Sequence, residues 1–342
     1  MNPPLDSTIG DLAGIFPNTP LEAHFQISWK CDFGCNHCPY FFSGKEPENQ
    51  PEIIRRVLAV LAQHDIRHVL FIAPDIDCVR WLPEVIGETR AMGLDCELLT
   101  GGPMPSAGIW GEFERAGLRN VVFELFGDRV FHDRLTLAGS FDRICSSMVH
   151  AMTAGLDVAA VWWLLAGCDV EPAGFARLLP AGLRGLVMQY FIPFKPGQHD
   201  FALEESEALY LWRRARETVD SLPFRYSSCG RHPDRDIVKL CSAGRFKLSV
   251  GPDGTIRPCE HFKPVPASTL GNLLAGDLEE IWASPILTRI RRQVPGTYQG
   301  PCGTCEDQWN CSACRAVGFN FRDNVEAGVP ACRFWEQTIL EG

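Results

Sequence analysis

The chain has 342 residues, of which 46% are hydrophobic and 22% charged. That is enough apolar content for a sizeable core and excludes global disorder. A net charge of −10 argues against nucleic acid or an anionic membrane surface as the main partner. No stretch reaches the roughly 20 apolar residues of a membrane span. The start, MNPPLDSTIGDLAGIFP, has neither the basic nor the apolar region of a secretory signal. The expectation is a cytoplasmic protein of two or three domains. Its 15 cysteines would stay reduced there, which favours metal or catalytic use over disulfides.

In chain order, residues 1–20 read as an irregular lead-in rich in Pro, Gly and Asn. His24–Trp29 is a predicted strand leading into a cysteine loop. Pro51–His64 puts Ile53, Ile54, Val57, Leu58 and Leu61 on one helical face. Strands are then predicted at His68–Ala73, Cys96–Thr100, Asn120–Phe126, Val158–Leu165 and Gly185–Ile192, and helices at Trp81–Met92, Ala107–Ala116, Ser140–Ala154 and Leu203–Leu222. Ser140 is the expected cap and Gly155 the stop of the third of these helices. A weak helical stretch precedes Gly185. This alternation makes six βα units with parallel pairing. Six is too few for a closed eight-stranded barrel, so an open, partial barrel is expected, with its site at the C-terminal strand ends.

After about Pro223 cysteine becomes dense: seven of the 15 fall from Cys241 onward. Arg245–Val250, the turn Gly251-Pro252-Asp253-Gly254 and Thr255–Arg257 read as a hairpin. Leu278–Arg292 reads as one helix. The rest reads as loop held by cysteine ligation.

Cys31, Cys35 and Cys38 stand on one loop directly after the first strand, and Gly34 lets that loop fold tightly. Three thiolates can hold three irons of a 4Fe–4S cube and leave the fourth iron open to a substrate. Zinc is the competing interpretation, with His37 as a fourth ligand, but His37 adjoins Cys38, where joint ligation of one ion is strained.

The C-x3-C-x2-C loop resembles that of the radical S-adenosylmethionine (SAM) superfamily. The resemblance implies that the open iron chelates SAM, which one electron cleaves to a 5′-deoxyadenosyl radical that abstracts hydrogen. Val122–Gly127, His132-Asp133 and Gly139-Ser140-Phe141 resemble the fourth strand and following helix of the branch that modifies peptides and natural products. Thr100-Gly101-Gly102 resembles that branch's Thr-Asn-Gly. The family's Gly-Gly-Glu-Pro, which holds the SAM amino group, is replaced by Ala73-Pro74-Asp75-Ile76-Asp77. Asp75 either does the acid's job or caps the next helix. Glu124, at a strand end, either touches the SAM ribose or substrate or is an exposed acid without a role. His37 is a further candidate for cofactor binding.

Cys241, the Gly254-x4-Cys259 element, Cys302, Cys305, Cys311, Cys314 and Cys332 resemble the SPASM extension, which carries auxiliary iron–sulfur clusters. The resemblance assigns Cys302, Cys305, Cys311 and Cys332 to a distal 4Fe–4S cluster, and Cys241, Cys259 and Cys314 to a proximal one. Two residues, not the family's usual three, separate Cys311 from Cys314, so Cys314 either reaches the proximal cluster or closes the distal one. Taken alone, this region also has zinc-ribbon spacing.

The fold expected is thus α/β: a lead-in over 1–20, a radical SAM partial (β/α)6 barrel over 21–222, and a bridge with a cysteine-rich SPASM-like domain over 223–342. Three 4Fe–4S clusters and SAM are the implied cofactors. The implied partners are a short-peptide or small-molecule substrate, an electron donor such as flavodoxin or ferredoxin, and a separate peptide-recognition protein, since about 20 residues before the first strand are too few for a domain. The reaction would be oxidation, crosslinking or epimerisation of a peptide or natural-product intermediate. A zinc-stabilised binding protein without catalysis is the alternative. Cys78, Cys96, Cys145, Cys168 and Cys229 lie outside both patterns. Cys96 and Cys145 read as buried thiols, and Cys78 and Cys168 fall just past strand ends. Cys229, on the bridge, is the candidate hydrogen donor to a substrate radical or a further ligand of the proximal cluster.

Overall fold

The computed structural model describes residues 16–31, 33–41, 45–48, 50–102, 107–220, 222–228, 232 and 239–328. Cys229, Cys332 and most of the lead-in lie outside the described residues.

Strand and helix alternate as expected: β1 (Glu22–Gln26), α1 (Gln50–Ala62), β2 (His68–Ile72), α2 (Leu82–Ala91), β3 (Asp95–Thr100), α3 (Gly108–Arg115), β4 (Asn120–Leu125), α4 (Arg129–Leu135), α5 (Ser140–Thr153), β5 (Asp157–Leu164), α6 (Pro172–Leu178), β6 (Gly185–Tyr190) and α7 (Glu205–Thr218). The strands pair in parallel in sequence order, the open barrel expected. Side-chain alternation on them sorts the two faces. Phe25, Phe71, Leu98, Phe123, Trp162 and Met188 enter the core under the helices. Their neighbours His24, Leu70, Leu99, Val122, Val161 and Gln189 line the barrel cavity. Trp162 stacks on Phe175 of α6 with ring centroids 4.2 Å apart, pinning that short helix to the sheet.

Several elements depart from expectation. The segment after α7 is a seventh parallel strand, β7 (Phe224–Ser228), paired with β6. The expected hairpin forms as β8 (Lys247–Val250) and β9 (Thr255–Arg257), but β8 also pairs in parallel with β1, Ala23 opposite Leu248. With β10 (Gly271–Asn272) a ten-stranded sheet results, in the order β10-β9-β8-β1-β2-β3-β4-β5-β6-β7. The expected helix 278–292 is two, α8 (Leu278–Trp282) and α9 (Pro285–Arg292). Pro285 lacks the N–H and disfavours helical geometry in Ser284, whose ψ is 148°. α10 (Arg315–Arg322) occupies what was expected to be loop. Ser140 is not a cap: Gly139, at φ +75°, holds that position, and the Ser140 hydroxyl meets Thr136 Oγ1 at 2.6 Å. Among the described residues no helix is long and apolar enough to cross a membrane.

Candidate active site

The first cysteine loop leaves β1 and turns at Gly34, whose φ is +63°, in the left-handed region that glycine enters without steric cost. Cys38 N donates to Cys35 O at 3.1 Å. The start of the loop is tied by Glu46, which accepts from Lys30 N at 2.9 Å and from Gln50 Nε2 at 2.8 Å. Its end is tied from across the barrel. Gln198 Nε2 donates to Asn36 O at 3.1 Å and Cys38 O at 2.9 Å, and Lys195 Nζ donates to Tyr40 O. Gln198 Oε1 in turn accepts from Phe194 N at 3.0 Å and Lys195 N at 3.1 Å. Asn320 on α10 ties the same segment to the C-terminal region through Phe194 O and His261 O, both at 2.8 Å.

Burial, together with the nearby Cys38 and Cys31, pushes the Cys35 thiol up to about 12. Burial likewise pushes Cys38 up to about 12. As free groups these are neutral thiols, so ligation must release their protons. Among the described residues no three His, Cys, Asp or Glu side chains are grouped to hold a metal ion. Thiols sharing a cube-shaped cluster each take their own iron and need not meet at one point.

His37 is 1% exposed and both ring nitrogens lack a hydrogen-bond partner among the described residues. Its ring sits 4.2 Å from that of Phe126. Burial, aided by His132, drops its pKa to about 3. It is a neutral wedge between the cysteine loop and the apolar cluster of Phe126, Phe131, Trp163 and Phe191. Asp75 accepts from Asp77 N at 3.0 Å and so caps the short 3-10 helix Ile76–Val79. The capping alternative therefore accounts for one of its oxygens.

Three strand ends converge beside it. A Cβ on Gly102 would lie 2.4 Å from Pro74 O, so this position must be glycine to pass this close, while one on Gly101 would make only ordinary contact with Glu124 Oε2 at 3.7 Å. Glu124 is not the exposed acid that one interpretation allowed: it is 6% exposed. Its Oε1 accepts from Trp163 Nε1 at 2.9 Å, and Tyr40 also bonds to its carboxyl group. Burial outweighs these donors and pushes its pKa up to about 7. Cys168 touches Gly127, where a Cβ would sit 2.6 Å from its Sγ. Cys78 is half-buried in the 3-10 helix, Cys145 half-buried in α5, and Cys96 buried in β3.

A cavity of about 650 Å³ fills the barrel. Glu124, Tyr40 and Trp163 line it together with Cys241, Cys259 and Cys314. Cys314 thus faces the same space as Cys241 and Cys259. Burial raises the Cys259 thiol well above its usual range. Beside it, Glu260 Oε1 meets Lys247 Nζ at 3.0 Å and His24 Nδ1 at 3.2 Å. These charges hold Glu260 well below the usual carboxylate range even though burial opposes it. Gln198, Lys195, Asn320 and this Glu260 network were missed in the sequence. Only Tyr40, two residues past Cys38, carried a local signal.

Residues 241–315 match the family described as "SPASM: Iron-sulfur cluster-binding domain". The whole architecture resembles Streptococcus suis SuiB bound to S-adenosylmethionine, at a TM-score of 0.73 and 13% identity, over 94% of this chain and 79% of SuiB. The chain joins a radical SAM fold to a SPASM domain. In sequence it is 21% identical to the AdoMet-dependent heme synthase of Oleidesulfovibrio alaskensis, over 91% of this chain and 86% of that protein. It is 22% identical to a PqqA peptide cyclase of Xanthomonas oryzae, over 92% of this chain and 87% of the cyclase. Within the SPASM segment fall Cys241, Cys259, Cys302, Cys305, Cys311 and Cys314.

Proposed function

We propose that this chain is a radical SAM enzyme that abstracts a hydrogen atom from an unactivated C–H bond of a peptide. The observation that carries it is the shared cavity, which Glu124 and Trp163 of the barrel strands and Tyr40, two residues past Cys38, line together with Cys241, Cys259 and Cys314. In this reading Cys31, Cys35 and Cys38 hold the SAM-binding cluster, Cys241, Cys259 and Cys314 the proximal auxiliary cluster, and Cys302, Cys305, Cys311 and Cys332 the distal one. When bound, the first cluster and SAM supply a hydrogen-abstracting radical.

This chain's residues do the rest. Gln198 and Lys195 fix the cysteine loop. Gly102 lets the β3 end pass close to the Pro74-Asp75 backbone on the cofactor side. Glu124, with a pKa of about 7, can hold or release a proton beside the substrate at neutral pH. His37 and the Phe126 cluster exclude water. A peptide is favoured because one relative is named a peptide cyclase and SuiB has been crystallised with its precursor peptide SuiA. An auxiliary cluster accepting an electron would give net oxidation or crosslinking, with flavodoxin or ferredoxin as reductant. A hydrogen-donating Cys229 would give epimerisation.

The test is replacement of Cys31, Cys35 and Cys38 by Ala after anaerobic reconstitution. Iron should fall from about 12 to about 8 per chain, with SAM cleavage abolished. Cleavage that survives, or zinc in place of iron in the unsubstituted chain, overturns the assignment.

A further inference from the structure

Among the described residues, three arginines of the SPASM region are buried without an ion pair; Arg257 lies within electrostatic reach of Glu260 and Asp253, and Arg245 and Arg315 are the other two. Arg245 is 0% exposed and Arg315 1%. Neither forms an ion pair among the described residues. Arg245 donates only to carbonyl oxygens, those of Cys241 at 2.8 Å, Ile290 and Gln293. Arg315 donates to Ala313 O and to Val325 O at 3.3 Å. Arg245 Nε and Arg315 Nη2 are buried and have no partner among the described residues. The two guanidiniums are near enough to repel each other. Arg291, stacked 4.3 Å over Trp282, adds a third cation beside Arg245.

Such a group of desolvated cations disfavours folding unless an anion sits among them. Cysteines from both proposed auxiliary sets belong to the same network. Arg315 lies 5.3 Å over the Tyr298 ring, whose hydroxyl donates to Cys311 O at 3.2 Å. Arg245 holds the Cys241 carbonyl. Tyr298 lies within electrostatic reach of both arginines and of both cysteines.

We infer that Arg245 and Arg315 are the countercharges of the two auxiliary clusters and hold their reduction potentials up. The inference rests on the proposed cluster assignment. A thiolate-ligated 4Fe–4S cluster is anionic, and reduction adds a further negative charge, which an adjacent fixed cation stabilises. Net charge and hydrogen bonding around the sulfurs are among the protein's controls on such potentials. Both arginines are positioning residues: they act through the clusters and touch no substrate.

The test is a redox titration followed by electron paramagnetic resonance on the cluster-loaded full chain, with Arg245→Met, Arg315→Met and Arg245→Lys. In the Met variants the reduced-to-oxidised ratio of an auxiliary cluster at fixed poise should fall at least tenfold, about 59 mV for a one-electron couple. The Lys variant should stay near the parent, and the cluster at Cys31, Cys35 and Cys38 should not move. The iron-free Met variants should melt no lower than the iron-free parent, because the uncompensated cation is gone. Loss of auxiliary iron in Arg245→Met with retention in Arg245→Lys supports the same conclusion. Fully loaded Met variants with unmoved potentials overturn the inference. So do iron-free Met variants destabilised as much as loaded ones, or iron loss in the Lys variant as well, since each makes the carbonyl bonds the whole role. A parent chain that takes up no iron overturns the proposed function instead.

Discussion

Gln198 donates to the carbonyl oxygen of Cys38 across 160 positions of sequence, at 2.9 Å. The third cysteine is thus placed by the segment after β6, not by its own loop alone. Gln198→Ala removes two donated and two accepted bonds to backbone. At about 1 kcal/mol net for each bond, a loss of roughly 2–4 kcal/mol is expected. Because a misplacement of about 1 Å costs about a hundredfold in rate, SAM cleavage should fall at least tenfold while auxiliary iron stays at the parent level. Unchanged cleavage in a destabilised variant would show that the loop does not need this clamp.

Asn320 and Gln198 hold opposite ends of one peptide group pair, at Phe194 O and Phe194 N. Residues sharing a network are non-additive. The double variant Asn320→Ala, Gln198→Ala should be less destabilised than the sum of the singles, by about 0.5–3 kcal/mol. Denaturant melts of the four proteins measure this. Strict additivity would mean the two clamps act separately.

Gly102→Ala puts a Cβ 2.4 Å from Pro74 O. Backbone cannot yield as a side-chain tip can, and overpacking of this sort costs about 1–3 kcal/mol. The β3 end should separate from the Pro74-Asp75 turn, weakening SAM binding by calorimetry more than it lowers the melting temperature. Parental SAM affinity would remove this turn from the cofactor side.

His132 supplies a pH handle. Its Nδ1 accepts from Phe126 N at 3.2 Å, and burial lowers its pKa to about 4. The unfolded chain, with an ordinary His near 6.5, binds the proton first. The stability from a neutral His132 is therefore complete above pH of about 6.5 and is lost as pH falls toward about 4. The difference approaches about 3 kcal/mol. In His132→Gln, which keeps an acceptor for Phe126 N, the slope of stability against pH in that window should shrink. An identical slope would assign the acid sensitivity elsewhere.

Local patterns carried the barrel into view. Apolar runs such as Asn120–Leu125 announce their strands, and the C-x3-C-x2-C and Gly-x4-Cys spacings announce the cysteine sites, because both are written within a few adjacent residues. What stayed hidden depends on distant partners. β7 is polar enough to pass for a linker and is a strand only because β6 offers its edge. The Arg129–Leu135 helix is one short piece started by the Asp128 cap, whose carboxylate accepts from Phe131 N at 2.9 Å. Glu124 could not be told from a surface acid until Trp163, 39 residues on, was seen donating to it. Arg245 and Arg315 look like ordinary surface cations by type, and only their burial sets them apart.

The parallel pairing of β8 with β1 also orders events on the ribosome. β1 is among the first strands made, yet one of its two hydrogen-bonding edges stays bare until residues 247–250 have emerged. A barrel begun earlier thus presents an open strand edge next to its cysteine loop, the kind of surface that invites wrong pairing between nascent chains. Closing that edge is the act that also delivers Cys241 and Cys259 to the cavity. In the proposed assignment, completion of the sheet and readiness to receive iron at the second site are therefore one step of maturation, and a chain truncated before β8 should be aggregation-prone and not merely inactive.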